Sequence, residues 1–141
     1  MRTTYPYELT SEPEGGFSVA FPDVPGARTQ GETEAECAEM AEDALVTAMS
    51  AIVEAGLPVP PPSPLRGRQA AILPPLAAAK LALHARRLEL GLTEAEFARR
   101  IGTDQRSAQR LLDPLHRSHI GLVDAALRLL GRRLVVAARA A

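Results

Sequence analysis

The sequence predicts an α+β fold: a small antiparallel sheet with one long helix, followed by an all-α helix-turn-helix domain with a C-terminal strand. Three observations carry this. Strand-type alternation occupies residues 5–31, and from residue 33 a helical period of three and four replaces it. A proline-rich run, PVPPPSPLRG at 58–67, then breaks the chain, with five prolines in its first seven positions. Beyond it come short capped helices and a final apolar run, RRLVVAA.

Taken in order, Tyr5 to Thr10 and Gly16 to Phe21 are strand-like, and EPEGG between them supplies the glycines a hairpin needs. Phe17, Val19 and Phe21 alternate with Ser18 and Ala20, which places both rings and Val19 on one face. Pro22 to Gly26 is a turn, and Ala27 to Gly31 a third strand. Thr33 with Glu36 has the spacing of a capping box. The helix it opens carries Ala38, Ala41, Leu45, Ala48 and Ile52 on its apolar side and Glu32, Glu36, Glu39 and Asp43 on another, closing near Gly56. The proline run is a stiff connector. After it, Gln69 to Leu73 stops at Pro74-Pro75 and is predicted to return to the sheet as a strand, completing a β-β-β-α-β domain over residues 1–75.

Residues 76–141 form the second predicted domain. Leu76 to Leu90 is a helix dense in Ala and Leu, closed by Gly91; Thr93 and Glu96 form a second capping box for a helix through Ile101, ended by Gly102. Asp104 caps a third helix through Leu112, halted by Pro114. Ile120, Val123, Leu127 and Leu130 mark a fourth, with Gly131 at its end and a strand over Arg132 to Ala138 after it.

The composition sets limits. The chain has 141 residues and a net charge of −1, with 46% hydrophobic and 23% charged residues, as expected of one ordinary soluble domain or two small ones. Aromatics make up 4% and Trp is missing, so Ala, Leu and Val must fill the core. No apolar run approaches the roughly 18 residues of a membrane span. MRTTYPYELT has no apolar signal core, and a lone Cys37 cannot make an internal disulfide, so a reducing cytoplasm is the expected location. The near-neutral total hides a split. Residues 1–64 carry two arginines against eleven acids, a balance of −9; the remainder carries fourteen basic residues against six acids, a balance of +8. This suggests an acidic half for a cationic partner and a basic half for polyanions, or mutual attraction between the halves.

TEAEFARRIGTDQRSAQRLL at 93–112 has helix-turn-helix spacing: Ala98, Gly102 four residues on, and Ala108 six further. A small Ala98 lets the second helix cross closely, Gly102 makes the turn, and Ala108 packs with Phe97, Ile101 and Leu111. The second helix then presents Gln105, Arg106 and Gln109 outward near its N-terminus, and Gln and Arg are the side chains that read adenine and guanine edges in the major groove. Arg110, Arg99, Arg100 and Arg117 are candidates for phosphate contact. A single such unit covers only a half-site, so a dimer is expected, with the C-terminal strand pairing across a two-fold axis.

The two halves resemble one family. YPYELTSEPEGGFSVAFPDVPGARTQGETEAECAEMAEDAL is similar to the N-terminal domain of HicB-type antitoxins, with its G-G-[YF]-x-V-x-[FI]-P-D-x-P-G run and acidic, Ala-rich helix. GLTEAEFARRIGTDQRSAQRLLDPLHRSHIGLVDAALRLLGRRL resembles the repressor-type helix-turn-helix that follows it in one branch. The resemblance implies an antitoxin that binds a HicA-type mRNA-cleaving toxin and represses its own operon, on a trimmed ribonuclease H sheet without catalytic carboxylates. The toxin contacts expected are Tyr5, Tyr7, Asp23, Glu32, Glu36, Glu39 and Asp43, and the DNA contacts expected are Thr93, Gln105, Arg106, Ser107, Gln109, Arg110 and Arg117. Two departures stand out: Glu94 occupies a position where a Gln often touches phosphate, and Ala108 is smaller than the usual Val or Ile. The other reading is a free-standing regulator whose N-terminal domain senses a small molecule.

No enzyme chemistry is expected. Ribonuclease H catalysis needs carboxylates converging on two metals, whereas Asp23 lies in a turn and the helix acids form a solvent face. His116 and His119 could reach one metal but lack Cys partners, and read as part of a polar loop. His84 reads as a surface or packing residue. Cys37 lacks a basic neighbour to lower its pKa and reads as inert. Tyr5, Tyr7, Phe17 and Phe21 read as core, although an edge tyrosine suits a partner interface. No cofactor and no metal is expected.

Overall fold

The structure, a computed structural model describing residues 1–140, has the predicted α+β character. Its elements run β1 (Thr4–Pro6), β2 (Glu8–Ser11), β3 (Phe17–Ala20), β4 (Arg28–Gly31), α1 (Glu34–Glu54), β5 (Ala70–Ile72), α2 (Pro75–Glu89), α3 (Glu94–Ile101), α4 (Gln105–Leu112) and α5 (Ile120–Leu129). The first predicted strand is divided at Tyr7. On one side β2 joins an antiparallel sheet of order β2-β3-β4, with Glu8 opposite Ala20 and Phe17 opposite Gly31. On the other, β1 pairs antiparallel with β5, Tyr5 opposite Ala71. The Tyr7 N–H donates to the Gln69 carbonyl at 2.9 Å, extending the second pairing by one bond. The predicted return strand is thus present, and it pairs with β1 alone.

The sheet's inner face is set by alternation. Val19 and Phe21 are buried and the Tyr7 and Phe21 rings meet at 5.6 Å between centroids, while Phe17 is half-buried at the sheet's end. Over this face lies α1. Thr33 caps it by accepting the Glu36 N–H at 3.1 Å, but the return bond of a full capping box is not made to Thr33: the Glu36 carboxylate takes the N–H of Glu32 at 3.4 Å. The buried stripe is Cys37, Ala41, Leu45, Met49 and Val53, a strict i, i+4 series. This corrects the predicted stripe, since Ala38 is exposed and Ala48 and Ile52 are half-buried. The reason is a contact between β4 and α1. A side chain on Gly31 would meet Cys37 Sγ at 3.0 Å and Cys37 N at 3.2 Å, so the bare glycine lets α1 approach the strand with Cys37 foremost.

The connector is fastened to the sheet rather than free. Tyr5 donates its hydroxyl to the Pro60 carbonyl at 2.6 Å, and the Asp23 carboxylate accepts both the N–H and the hydroxyl of Ser63 at 2.8 Å. Arg68 ties back onto the carbonyls of Pro64 and Leu65.

The later helices gather around α2. Its side chains satisfy carbonyls that helix ends leave without partners, which is where a positive charge is also favoured by the helix dipole. Arg86 Nε donates to the Leu130 carbonyl at the end of α5 at 2.7 Å, His84 Nε2 meets the Leu57 carbonyl just past α1 at 2.8 Å, and Arg87 reaches the Leu92 carbonyl at 3.0 Å. One buried apolar cluster runs from Tyr5 through Leu45, Leu81 and Phe97 to Leu130, so the sheet and the helices share a core.

The C-terminal strand is a further correction. After Gly131 the described residues form no regular element, and Val135 and Val136 are 84% and 78% exposed. A strand needs a ladder, and the single chain offers none at this place. The segment neither docks on the sheet nor lengthens α5; it is tied down only at its start, where the Arg132 N–H donates to the Leu127 carbonyl at 2.9 Å, Arg132 pairs with Glu89, and Leu134 packs on the core with its N–H donated to Asp124 at 3.1 Å.

Candidate functional site: two charged faces

The helix pair α3–α4 is built by short-range rules. Thr93 and Glu96 complete a capping box, with Thr93 accepting from Glu96 N at 3.1 Å and Glu96 accepting from Thr93 N at 3.2 Å. These bonds hold the Glu96 carboxyl below the usual carboxylate range. Gly102 ends the helix in the left-handed region at φ 80°, a conformation an L side chain rarely adopts. Asp104 then caps α4 through the N–H and hydroxyl of Ser107 at 2.8 and 2.9 Å, which likewise hold its carboxyl low. Phe97, Ala98 and Ala108 are buried between the helices as predicted; the leucine that joins them is Leu112, with Leu111 only half-buried.

This scaffold presents Gln105, Arg106, Gln109 and Arg110 to solvent on α4, with Arg99 and Arg100 on α3 and Arg117 on the following loop. Thr93 and Ser107, both predicted to touch DNA, have hydroxyls engaged in the caps. Gln109 donates to the Glu94 carboxylate at 3.0 Å, so the Glu94 departure holds one of the candidate base readers against α3. Four ion pairs occur among the described residues: Arg68–Glu8, Arg86–Glu89, Arg128–Asp124 and Arg132–Glu89. None uses Arg99, Arg100, Arg106, Arg110 or Arg117. The basic half pairs its charges away from α3–α4 and leaves them unpaired on it.

Sequence reasoning missed the residue beneath this face. Lys80 of α2 is fully buried. Its Nζ lies 2.8 Å from the Arg110 carbonyl, 3.0 Å from that of Asp113, 2.6 Å from that of His116 and 2.8 Å from the Ser118 hydroxyl. Burial pushes its pKa down to about 8 against the support of the Asp113 carboxylate, so it is still mainly charged at neutral pH. The available signal was positional. Lys80, His84 and Arg87 recur at four and three residues on an otherwise Ala- and Leu-rich helix, and all three are buried.

The acidic face lies on α1. Glu32, Glu36, Glu39 and Asp43 are all exposed, as are Glu34 and Glu42 beside them, and none has an ion-pair partner among the described residues. Mutual attraction of the two halves therefore reduces to Arg68–Glu8, at 3.9 Å. Two of the predicted toxin contacts lie in the core and a third holds the connector. Tyr5 and Tyr7 are 1% and 2% exposed, with hydroxyls on Pro60 O and Gln69 Oε1 and phenols pushed up by burial, so they belong to the core. Asp23 is half-exposed and latches the connector through Oδ2, which accepts both Ser63 bonds. Ser50 of α1 donates to the Asp113 carboxylate at 2.7 Å and joins this helix to the end of α4.

The remaining chemical candidates are structural. Cys37 is fully buried, and burial together with the Glu36 and Glu34 carboxylates pushes its thiol up, away from thiolate reactivity. His84 is a packing residue. Burial, with Arg87 adding, holds its pKa below the usual value although the Leu57 carbonyl opposes this; its Nδ1 is buried without a partner. Among the described residues no helix is long and apolar enough to cross a membrane.

Comparison with known proteins gives concordant results. The model of a family described as "HicB_like antitoxin of bacterial toxin-antitoxin system" matches residues 4–82. The chain is 43% identical over 131 residues to Antitoxin HicB of Escherichia coli (strain K12), covering 92% of this chain and 95% of that protein. It is 36% identical over 132 residues to Antitoxin HicB 1 of Photorhabdus laumondii, covering 94% and 84% respectively. A chain of a solved structure titled "HicA3 and HicB3 toxin-antitoxin complex" is 34% identical, with a TM-score of 0.39, over 43% of this chain and 71% of that one.

Proposed function

This chain belongs to the HicB-like antitoxin family, and on that premise we propose that it neutralises a HicA-type mRNA-cleaving toxin through the acidic face of α1 and represses its own operon by binding operator DNA through α3–α4. The observation that carries this reading is the separation of unpaired charge. Exposed carboxylates without ion-pair partners lie along α1, and five exposed, unpaired arginines are carried by α3, α4 and the loop after them. An RNA-cleaving toxin must carry positive charge to hold its substrate, and complementary charge raises the rate and specificity of its capture. On the other face the arginines serve phosphates, while Gln105 and Arg106, at the start of α4, are placed for base edges. The names of the relatives, all antitoxins, favour this over a regulator that senses a small molecule.

The operator-bound form is at least a dimer, because one helix-turn-helix covers only a short half-site. Exposed Leu122 and Leu129 on α5, with Val135 and Val136 beyond it, supply the apolar surface for a second copy. We place the division between the toxin-binding and DNA-binding parts at residue 75, and the site of action in the cytoplasm. Co-expression with the short basic product of the adjacent gene, followed by co-purification and footprinting of the promoter, tests the proposal. A stable complex and a protected palindrome are expected. Failure of both would overturn it. Deleting residues 133–141 should give a monomer that still captures the toxin; an intact dimer would place the interface on the helices alone.

A further inference from the structure

Lys80 sits where two of the outward arginines share a foundation. The end of α3 is closed by Gly102, and that of α5 by Gly131 with Arg86. The end of α4 has no such glycine: Asp113 is extended there, at φ −75° and ψ 113°. Instead the Arg110 carbonyl in its last turn and the Asp113 carbonyl at its cap turn inward to the Lys80 ammonium. Its four acceptors all belong to the end of α4 and the loop after it. Arg110 has its own carbonyl bound to Lys80. Arg117 lies between His116, whose carbonyl is bound, and Ser118, whose hydroxyl is bound. Both arginine side chains remain exposed and free of carboxylates among the described residues. At the other end of α4, Gln105 and Arg106 are held by the Asp104 cap and owe nothing to Lys80.

We infer that Lys80 is a positioning residue for nucleic-acid binding: one buried ammonium fixes the backbone under Arg110 and Arg117, so that they meet DNA phosphates as a pair. The inference rests on the DNA-binding reading of α3–α4. Its consequence is a division of labour within α4, in which the Asp104 cap serves sequence readout at the start of the helix and Lys80 serves phosphate contact at its end.

The test uses the full chain and two labelled probes, a duplex from the promoter directly upstream of its own gene and a scrambled duplex of the same composition. Lys80→Met should weaken binding to both about tenfold, leave their ratio unchanged, and reduce the slope of log K against log salt by about one to two contacts. In a background of Arg110→Ala and Arg117→Ala, the same substitution should cost less than about twofold, because the groups it positions are gone. An equal cost in both backgrounds would show a lysine that merely stabilises the fold and would overturn the inference. If Lys80→Met does not fold by circular dichroism, Ser118→Ala withdraws one half-exposed acceptor and should lower affinity about twofold to threefold, an effect lost in the Arg117→Ala background. No loss in Ser118→Ala would also overturn it. If the wild-type chain binds neither duplex, the DNA-binding reading fails and the inference falls with it; if it binds both and Lys80→Met is unchanged, the inference fails alone.

Discussion

The faces of α1 and α4 are both rows of unpaired charge, yet they are specified in opposite ways. The first stands on 21 residues of helix whose core contact repeats every fourth position, and its acids recur at steps of three and four on another side. The second stands on eight residues held between the Asp104 cap and the Lys80 ammonium, with each outward side chain at a unique place. A repeated face is redundant, because any one carboxylate has neighbours that maintain the potential. A short fixed face is not, because a base edge or a phosphate is met by one side chain at one angle. Toxin capture should therefore tolerate single substitutions that operator recognition does not.

The largest effect should come from removing the redundancy altogether. Converting Glu32, Glu36, Glu39 and Asp43 together to Lys should weaken capture of the basic partner by more than about 100-fold in titration calorimetry, through repulsion as well as lost attraction, with promoter affinity unchanged. On α4 one change suffices: Arg106→Ala should cost about 1–3 kcal/mol of discrimination between promoter and scrambled duplex, read by competition binding. Gly31→Ala should destabilise the whole chain by about 1–3 kcal/mol in urea melts, since the added methyl meets Cys37 Sγ at 3.0 Å and must lift α1 from β4.

A pH effect should follow from His84, which packs against the end of α1. Folding holds its pKa below the ordinary 6.5, so as pH falls through 6.5 the unfolded chain accepts a proton that the folded chain refuses. Stability should decline as the pH is lowered through the ordinary 6.5, until the folded histidine is protonated as well, and His84→Gln should flatten that decline. The smallest effect sharpens the comparison most: Glu39→Gln alone should change partner affinity by less than about 0.5 kcal/mol, the usual scale of one exposed charge. A loss like that of Arg106→Ala would mean that α1 also acts through single points.

What was legible in the sequence was whatever is written at short range. Caps at Thr33, Thr93 and Asp104, the turn at Gly102 and the alternation of Phe17, Val19 and Phe21 located most elements to within a residue or two, because each depends on neighbours three or four positions away. The family resemblance was legible in the GGFSVAFPDVPG run. The illegible features depend on contacts between separate elements. The core stripe of α1 begins at Cys37 and not Ala38 because Gly31 stands beneath it, a contact between separate elements. Tyr5, Tyr7 and Asp23 carry groups suited to an interface, yet the connector and Gln69 just after it, some 40 to 60 residues further on, take up their hydrogen bonds. Lys80 looks like a solvated lysine until the loop at 113–118 folds over it. The C-terminal strand was predicted from residue type, and residue type does not supply a partner strand.

The most direct test of the account is the salt dependence of promoter binding by the wild-type chain. Five unpaired arginines on α3, α4 and the loop after them, each neutralising a phosphate, predict a slope of log K against log salt of about −4 to −5 per bound chain, reduced by about one in Arg110→Ala. A slope near zero, or one that Arg110→Ala leaves unchanged, would contradict the assignment of this face to DNA.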